Sequence, residues 1–153
     1  MSRIFLNVPD RIEDIINGYE YEQFDCVYRA IRHSGDPIPK DFYPTFDDDE
    51  QKAEIEAAMS KGDMAFVIAR QKELENNPSY YSVSLAISKD SLKDKFWRRK
   101  KTRYPSIVVG HTDPHKGKAH MEDDAHVSYF IFDYKDVDKN PYNDFKEDES
   151  VDE

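Results

Sequence analysis

This 153-residue chain has one cysteine, no long uncharged apolar run and no excess of positive charge. Each scarcity excludes something. A lone thiol, Cys26, cannot close an internal disulfide. It sits in FDCVYRAI among apolar residues at helical spacing, which predicts a buried, inert sulfur without a catalytic role. Nowhere do about 18 uncharged apolar residues run together, so no membrane-spanning helix is expected. The start MSRIFLNVPD lacks the apolar stretch of a secretory leader, and the expectation is a soluble, cytoplasmic protein. Lys and Arg number 22 against 32 Asp and Glu, a formal net charge of -10. That field repels polyanions and argues against nucleic acid or an anionic membrane as a direct ligand. The zinc signatures CxxC and HExxH are missing as well, as is any internal repeat.

What is present is enough to fold. Hydrophobic residues make up 38% and aromatic residues 13%, too much apolar material for a disordered chain. The length fits one domain, which on folding buries roughly 68–70% of its unfolded surface. The charge is uneven. Lys93 to Arg103 holds seven cations and one Asp, a local +6, so the remainder carries -16.

Periodicity and punctuation predict the elements. IFLNVP reads as an N-terminal strand, and the stretch from Pro9 to Gly18 as a short helix with acids at its start. Phe24, Val27, Tyr28 and Ile31 recur at helical spacing, which predicts a second helix over Glu20 to Arg32. Pro37, Pro39 and Pro44 exclude regular structure over the next stretch, where Phe42, Tyr43 and Phe46 can dock a loop. Asp47, Asp48 and Asp49 lead into EQKAEIEAAMSKGD, a thin-faced exposed helix closed by Gly62. MAFVIARQKELE fits a strand over Met64 to Ile68 or a helix continuing to Glu75, and its length and KELE ending favour the helix. YYSVSLAIS alternates with period two, as a half-buried strand does, and Ser88 can cap a helix running into the basic strip. SIVVGH and HVSYFIFDY read as strands, the second apolar on both faces and hence central. The expected fold is a single α+β domain over residues 1–145, with a mostly antiparallel sheet of three to five strands flanked by three or four helices. An acidic mobile tail follows over 146–153.

Four of the five histidines, His111, His115, His120 and His126, fall in GHTDPHKGKAHMEDDAH, interleaved with Asp113 and Glu122 to Asp124. If SIVVGH and HVSYFIF pair as a hairpin, His111 and His126 meet at its end and the loop brings His115 and His120 over the same edge. Those four are then candidate ligands for a shared metal ion, zinc by the chemistry of imidazole. The plain alternative is a solvated loop with turns at Gly110, Pro114 and Gly117. His111 and His126 are also the candidates for general acid and base, because unperturbed imidazole titrates near pH ~6.5. Joined to the cations Arg98, Arg99, Lys100 and Arg103, they outline a small hydrolase or transferase acting on a nucleotide or RNA. Trp97 and Tyr104 beside those cations suit a single-stranded nucleic acid, against which stands the overall charge.

The acidic excess points elsewhere. Asp47 to Glu50, Glu122 to Asp124 and Asp144 to Glu153 can mimic a phosphate backbone, with Asp47, Asp48 and Asp49 as the first candidate binding residues. On that reading the chain is a non-enzymatic interaction protein. Its partner is a basic nucleic-acid-handling protein, and the chain is a mobile-element-encoded inhibitor of a machine such as a defence nuclease. Solubility alone also accounts for an acidic surface.

Overall fold

A computed structural model describes residues 5–92 and 104–148. The chain is an α+β domain with one antiparallel six-stranded sheet in the order β4-β5-β2-β1-β3-β6. The strands are β1 (Val27–Ile31), β2 (Val83–Ala86), β3 (Ser106–Gly110), β4 (Gly117–Met121), β5 (His126–Ile131) and β6 (Phe145–Glu147). Four helices are described: α1 (Asp10–Asn17), α2 (Asp49–Lys61), α3 (Met64–Asn76) and α4 (Lys89–Leu92). Among the described residues no helix is long and apolar enough to cross a membrane.

The class matches the sequence expectation, but the sheet is larger than three to five strands. The predicted second helix is instead an irregular segment followed by β1, whose backbone groups pair with β2 on one side and β3 on the other. Five residues with Val and Ile at positions 27 and 31 satisfy both periods, and pairing on two sides decides for the strand. Cys26 is therefore exposed rather than buried, with its thiol 3.4 Å from the Tyr28 hydroxyl. The segment expected as an N-terminal strand bonds Leu6 N–H to the Phe132 carbonyl and buries Phe5 and Val8 without forming a strand over its described residues. β4 and β6, like β1, are unforeseen strands. Lys146 and Glu147, expected in the mobile tail, pair with Val109 and Val108 of β3.

SIVVGH and HVSYFIF do not form a hairpin. β3 pairs with β1 and β6, whereas β5 lies between β4 and β2. Gly110 and Gly117, expected in turns, are strand residues where another chain segment comes too close for a Cβ.

Register sorts side chains between the two faces, because opposed residues share a face. One face carries Val27, Val83, Leu85, Val108, Ala119, Val127, Tyr129, Ile131 and Phe145, which form the larger core with Phe42 and Tyr134. The prolines break the docked loop into short 3-10 turns at Pro39–Phe42 and Thr45–Asp47, and Phe42 is fully buried. The other face carries Ala30, Ser84, Ala86, His126 and Phe130. α1 packs Ile12 and Ile16 over its Phe130 end, together with Phe5 and Tyr80. Among the described residues, the small side chains Ala30, Ser84 and Ala86 leave part of that face uncovered.

Candidate functional site

The open part of the sheet floors a cleft of about 530 Å³, bounded by the start of α2, the Lys40–Thr45 stretch, α4 and Tyr104. Ala30, Ser84 and Ala86 form its floor because none of them reaches far enough to fill it. Such a volume lies within the range of small-molecule sites.

Beneath the cleft the sheet is split. β1 and β2 share one registered pair, Tyr28 with Ala86, and then diverge. The Arg29 side chain spans the gap. Its Nε donates to the Asp41 carbonyl at 2.7 Å and its Nη1 to the Ser84 carbonyl at 2.8 Å, two acceptors that the ladder leaves open. The guanidinium also lies 5.8 Å from the centre of the Phe42 ring. Burial lowers its pKa against the opposing charges of Asp41 and Asp48, although a guanidinium remains a cation at any working pH.

Arg32, three residues on, is fully occupied. Its fork pairs with both Asp48 oxygens, its Nε lies 3.0 Å from Glu50, and Nη2 reaches the Tyr104 hydroxyl at 3.2 Å. Asp48 also accepts Gln51 N–H and so caps α2. Lys40 pairs with Asp49, His33 with Asp41, and Arg70 with Glu54. These acids around the cleft are thus engaged by neighbouring cations, with Arg32 shared by two of them, while Arg29 makes no ion pair among the described residues.

Asp47, Asp48 and Asp49 serve unlike purposes. Asp47 is buried: Tyr134 Oη donates to it at 2.7 Å, Lys52 Nζ lies at 2.6 Å and Lys135 Nζ at 3.6 Å. Burial opposes its ionisation, but the hydrogen bonds from Lys52 and Tyr134 outweigh that and hold the carboxyl below the usual carboxylate range. Asp48 is engaged as described, and only Asp49 is exposed. The sequence pattern of three acids at a helix start cannot distinguish these three environments.

The histidines are dispersed. His111, beyond the end of β3, contacts the Thr112 carbonyl and lies 4.0 Å from Asp144. His115 is exposed and bonded to Asp113. His120, on β4, meets the Glu20 carbonyl at 2.9 Å and stacks on Tyr19 with ring centres 4.2 Å apart. His126 opens β5 and lines the cleft. Val109, Tyr28, Ala86 and His126 stand in one cross-strand row, so His126 and the end of β3 are three strand spacings apart, roughly 14 Å. Among the described residues no three His, Cys, Asp or Glu side chains are grouped so as to hold a metal ion. As placed, the four histidines do not form a shared zinc ligand set, and no metal step is derived from them.

His126 differs from the other four. His33, His111, His115 and His120 each have an intramolecular partner, whereas the His126 imidazole has no hydrogen bond, ion pair or ring contact among the described residues. Its backbone N–H is held by Asp123 Oδ1 at 2.8 Å, which fixes the strand start and leaves the ring to the cleft. The hydroxyl residues Ser84 and Ser91 share the lining. Arg98, Arg99, Lys100 and Arg103 lie outside the described residues, and the flanking Leu92 and Tyr104 both line the cleft. Arg29 escaped the sequence reading because it sits inside an apparently helical apolar run, where one cation looks like a solvated position.

No protein-family model, curated protein or solved structure matches this chain.

Proposed function

We propose that the protein is a small hydrolase or transferase that takes a nucleotide-sized molecule into the cleft and uses His126 for proton transfer. The observation that carries this reading is the His126 imidazole, without a partner among the described residues and set in the lining of a ligand-sized cavity. An imidazole bonded to a main-chain carbonyl or carboxylate is constrained in tautomer and orientation. His126 is not so constrained and is available to a ligand. It works alone rather than with His111, which stands at the far side of the sheet.

The reading makes a direct prediction. Nucleotides and short RNAs incubated with the full chain should perturb the ring resonances of His126, and His126→Gln should lower turnover by roughly 10²–10⁴-fold. Melting should stay nearly unchanged, because the ring makes no bond among the described residues. Absence of both product and perturbation across the nucleotide series would remove the enzyme reading.

The acidic-interaction reading draws on a separate observation. Glu20 and Glu22, beside β4, and Glu122 and Asp124, in the turn after it, are all exposed. Glu22 N–H bonds to the Ala119 carbonyl, which places these acids along one sheet edge. That edge, with Asp49, is what a basic nucleic-acid-handling protein would meet.

A further inference from the structure

Resting on the cleft as a ligand site, we infer that Arg29 is its oxyanion subsite: the outer side of the guanidinium receives the phosphate or carboxylate group of the bound molecule. A guanidinium has five N–H donors in a fixed plane. Nε and Nη1 are used on the Asp41 and Ser84 carbonyls. Nη2 makes no hydrogen bond among the described residues. No buried side-chain nitrogen or oxygen there lacks a partner, so Nη2 is not sealed in the interior and reaches the space that Arg29 lines. The two carbonyl bonds set the plane of the fork in advance. An oxyanion arriving at Nη2 meets a donor that needs no reordering, which is the condition under which a charged hydrogen bond binds most strongly.

Which lining cations already hold a carboxylate decides where an anion can bind. Arg32 is shared by Asp48 and Glu50, Arg70 pairs with Glu54, Lys40 with Asp49, and Asp41 with His33. Asp123, the remaining carboxylate in the lining, accepts the N–H groups of Ala125 and His126. Arg29 is the lining cation that makes no ion pair among the described residues, so its guanidinium is the one whose free donor is not already held by a carboxylate. The sheet split is what makes the subsite. A regular β1–β2 ladder would engage the Ser84 carbonyl with a backbone N–H and leave no place for the side chain. By register Arg29 starts from the face of Val108 and His126 from the face of Ser84 and Ala86, but both line the cleft, so one ligand in it can touch the guanidinium and the imidazole.

The test uses the full chain with four probes: AMP, adenosine, inorganic phosphate and acetate, each followed by calorimetry and by the His126 ring resonances. AMP should bind more tightly than adenosine. Arg29→Lys keeps the charge but loses the planar fork, and it should weaken AMP by about tenfold to a hundredfold while leaving adenosine unaffected. Inorganic phosphate and acetate report whether the subsite prefers a phosphate or a carboxylate, either being an oxyanion. Because Arg29 also holds two carbonyls, the amide spectrum of Arg29→Lys is recorded first. If that variant unfolds, Ser84→Pro cannot substitute for it, and Arg29→Gln, which still donates to one carbonyl, replaces it. AMP binding that perturbs His126 but is unchanged in the folded variant, or adenosine binding as tightly as AMP, would overturn the subsite and leave the cleft reading intact. No binding by any probe would remove both.

Discussion

At the scale of the residue, the same acidic side chain takes opposite roles depending on what surrounds it. Asp47 is a buried junction between the start of α2 and the β5–β6 connection, joined to Lys52, Lys135 and Tyr134. Removing its charge leaves those donors with a weaker acceptor, and Asp47→Asn should cost about 1–3 kcal/mol at neutral pH. Its folded carboxyl is held below the ordinary value near ~3.9, so the contribution is complete above that pH and disappears as pH falls through the folded value. Melting curves of the original protein and Asp47→Asn should therefore converge under acid conditions. A gap that stays constant from pH 7 to pH 3 would show that the charge is not the source. Tyr21 illustrates the opposite sign: burial first, and then the nearby Tyr19, raise its phenol to about 12.

At the scale of the element, register and close approach explain what propensity does not. β4 is legible in retrospect, since Gly117, Ala119 and Met121 alternate with Lys118 and His120. Its histidine and glycine content reads as loop until β5 is seen to lie beside it. β6 is three residues long and depends on Phe145 reaching the core against Phe42, at 4.6 Å between ring centres. A Cβ at Gly110 would overlap the Asp144 carbonyl and lie 2.6 Å from Phe145 Cγ. Gly110→Ala should accordingly detach β6 or strain β3, costing roughly 1–3 kcal/mol as an overpacking change. Denaturant midpoints and hydrogen exchange at Val108 and Gly110 test this. Unchanged protection at both would contradict the close approach. α2 and α3 differ from the sheet, because each buries a single residue, Ala58 and Val67, while Met59, Met64 and Ile68 stay exposed. Their bounds were nonetheless readable from Asp48, Asp63 and Gly62, since capping chemistry is local.

At the scale of the whole molecule, a charge of -10 acts at a distance that individual contacts do not. If the acidic edge beside β4 engages a basic partner, association should slow steeply with added salt, because screening shortens to about 8 Å at physiological ionic strength. Neutralising Glu122, Asp124 and Asp49 together should reduce the association rate with little change in melting temperature. Including Asp47 and Asp48 would confound the measurement, since both hold the fold together. A complex whose association rate ignores salt, or is unmoved by the triple change, would exclude electrostatic mimicry.

The sequence by itself determined the class of the fold, the positions of α1, α2 and α3, and the three strands β2, β3 and β5. Those follow from local rules: caps, turn residues and the period of apolar side chains, each acting over a few residues. It also singled out His126, although for the company of three other histidines that the fold then disperses. Only the tertiary structure decided that Val27 to Ile31 is a strand, that β3 and β5 lie three strands apart, and that Asp47 is interior while Asp49 is not. Only it placed Arg29 in the split between β1 and β2. The reason is physical. A backbone donor or acceptor is satisfied by whichever segment lies beside it, and that neighbour is chosen by packing between residues far apart in the chain, which no local pattern records.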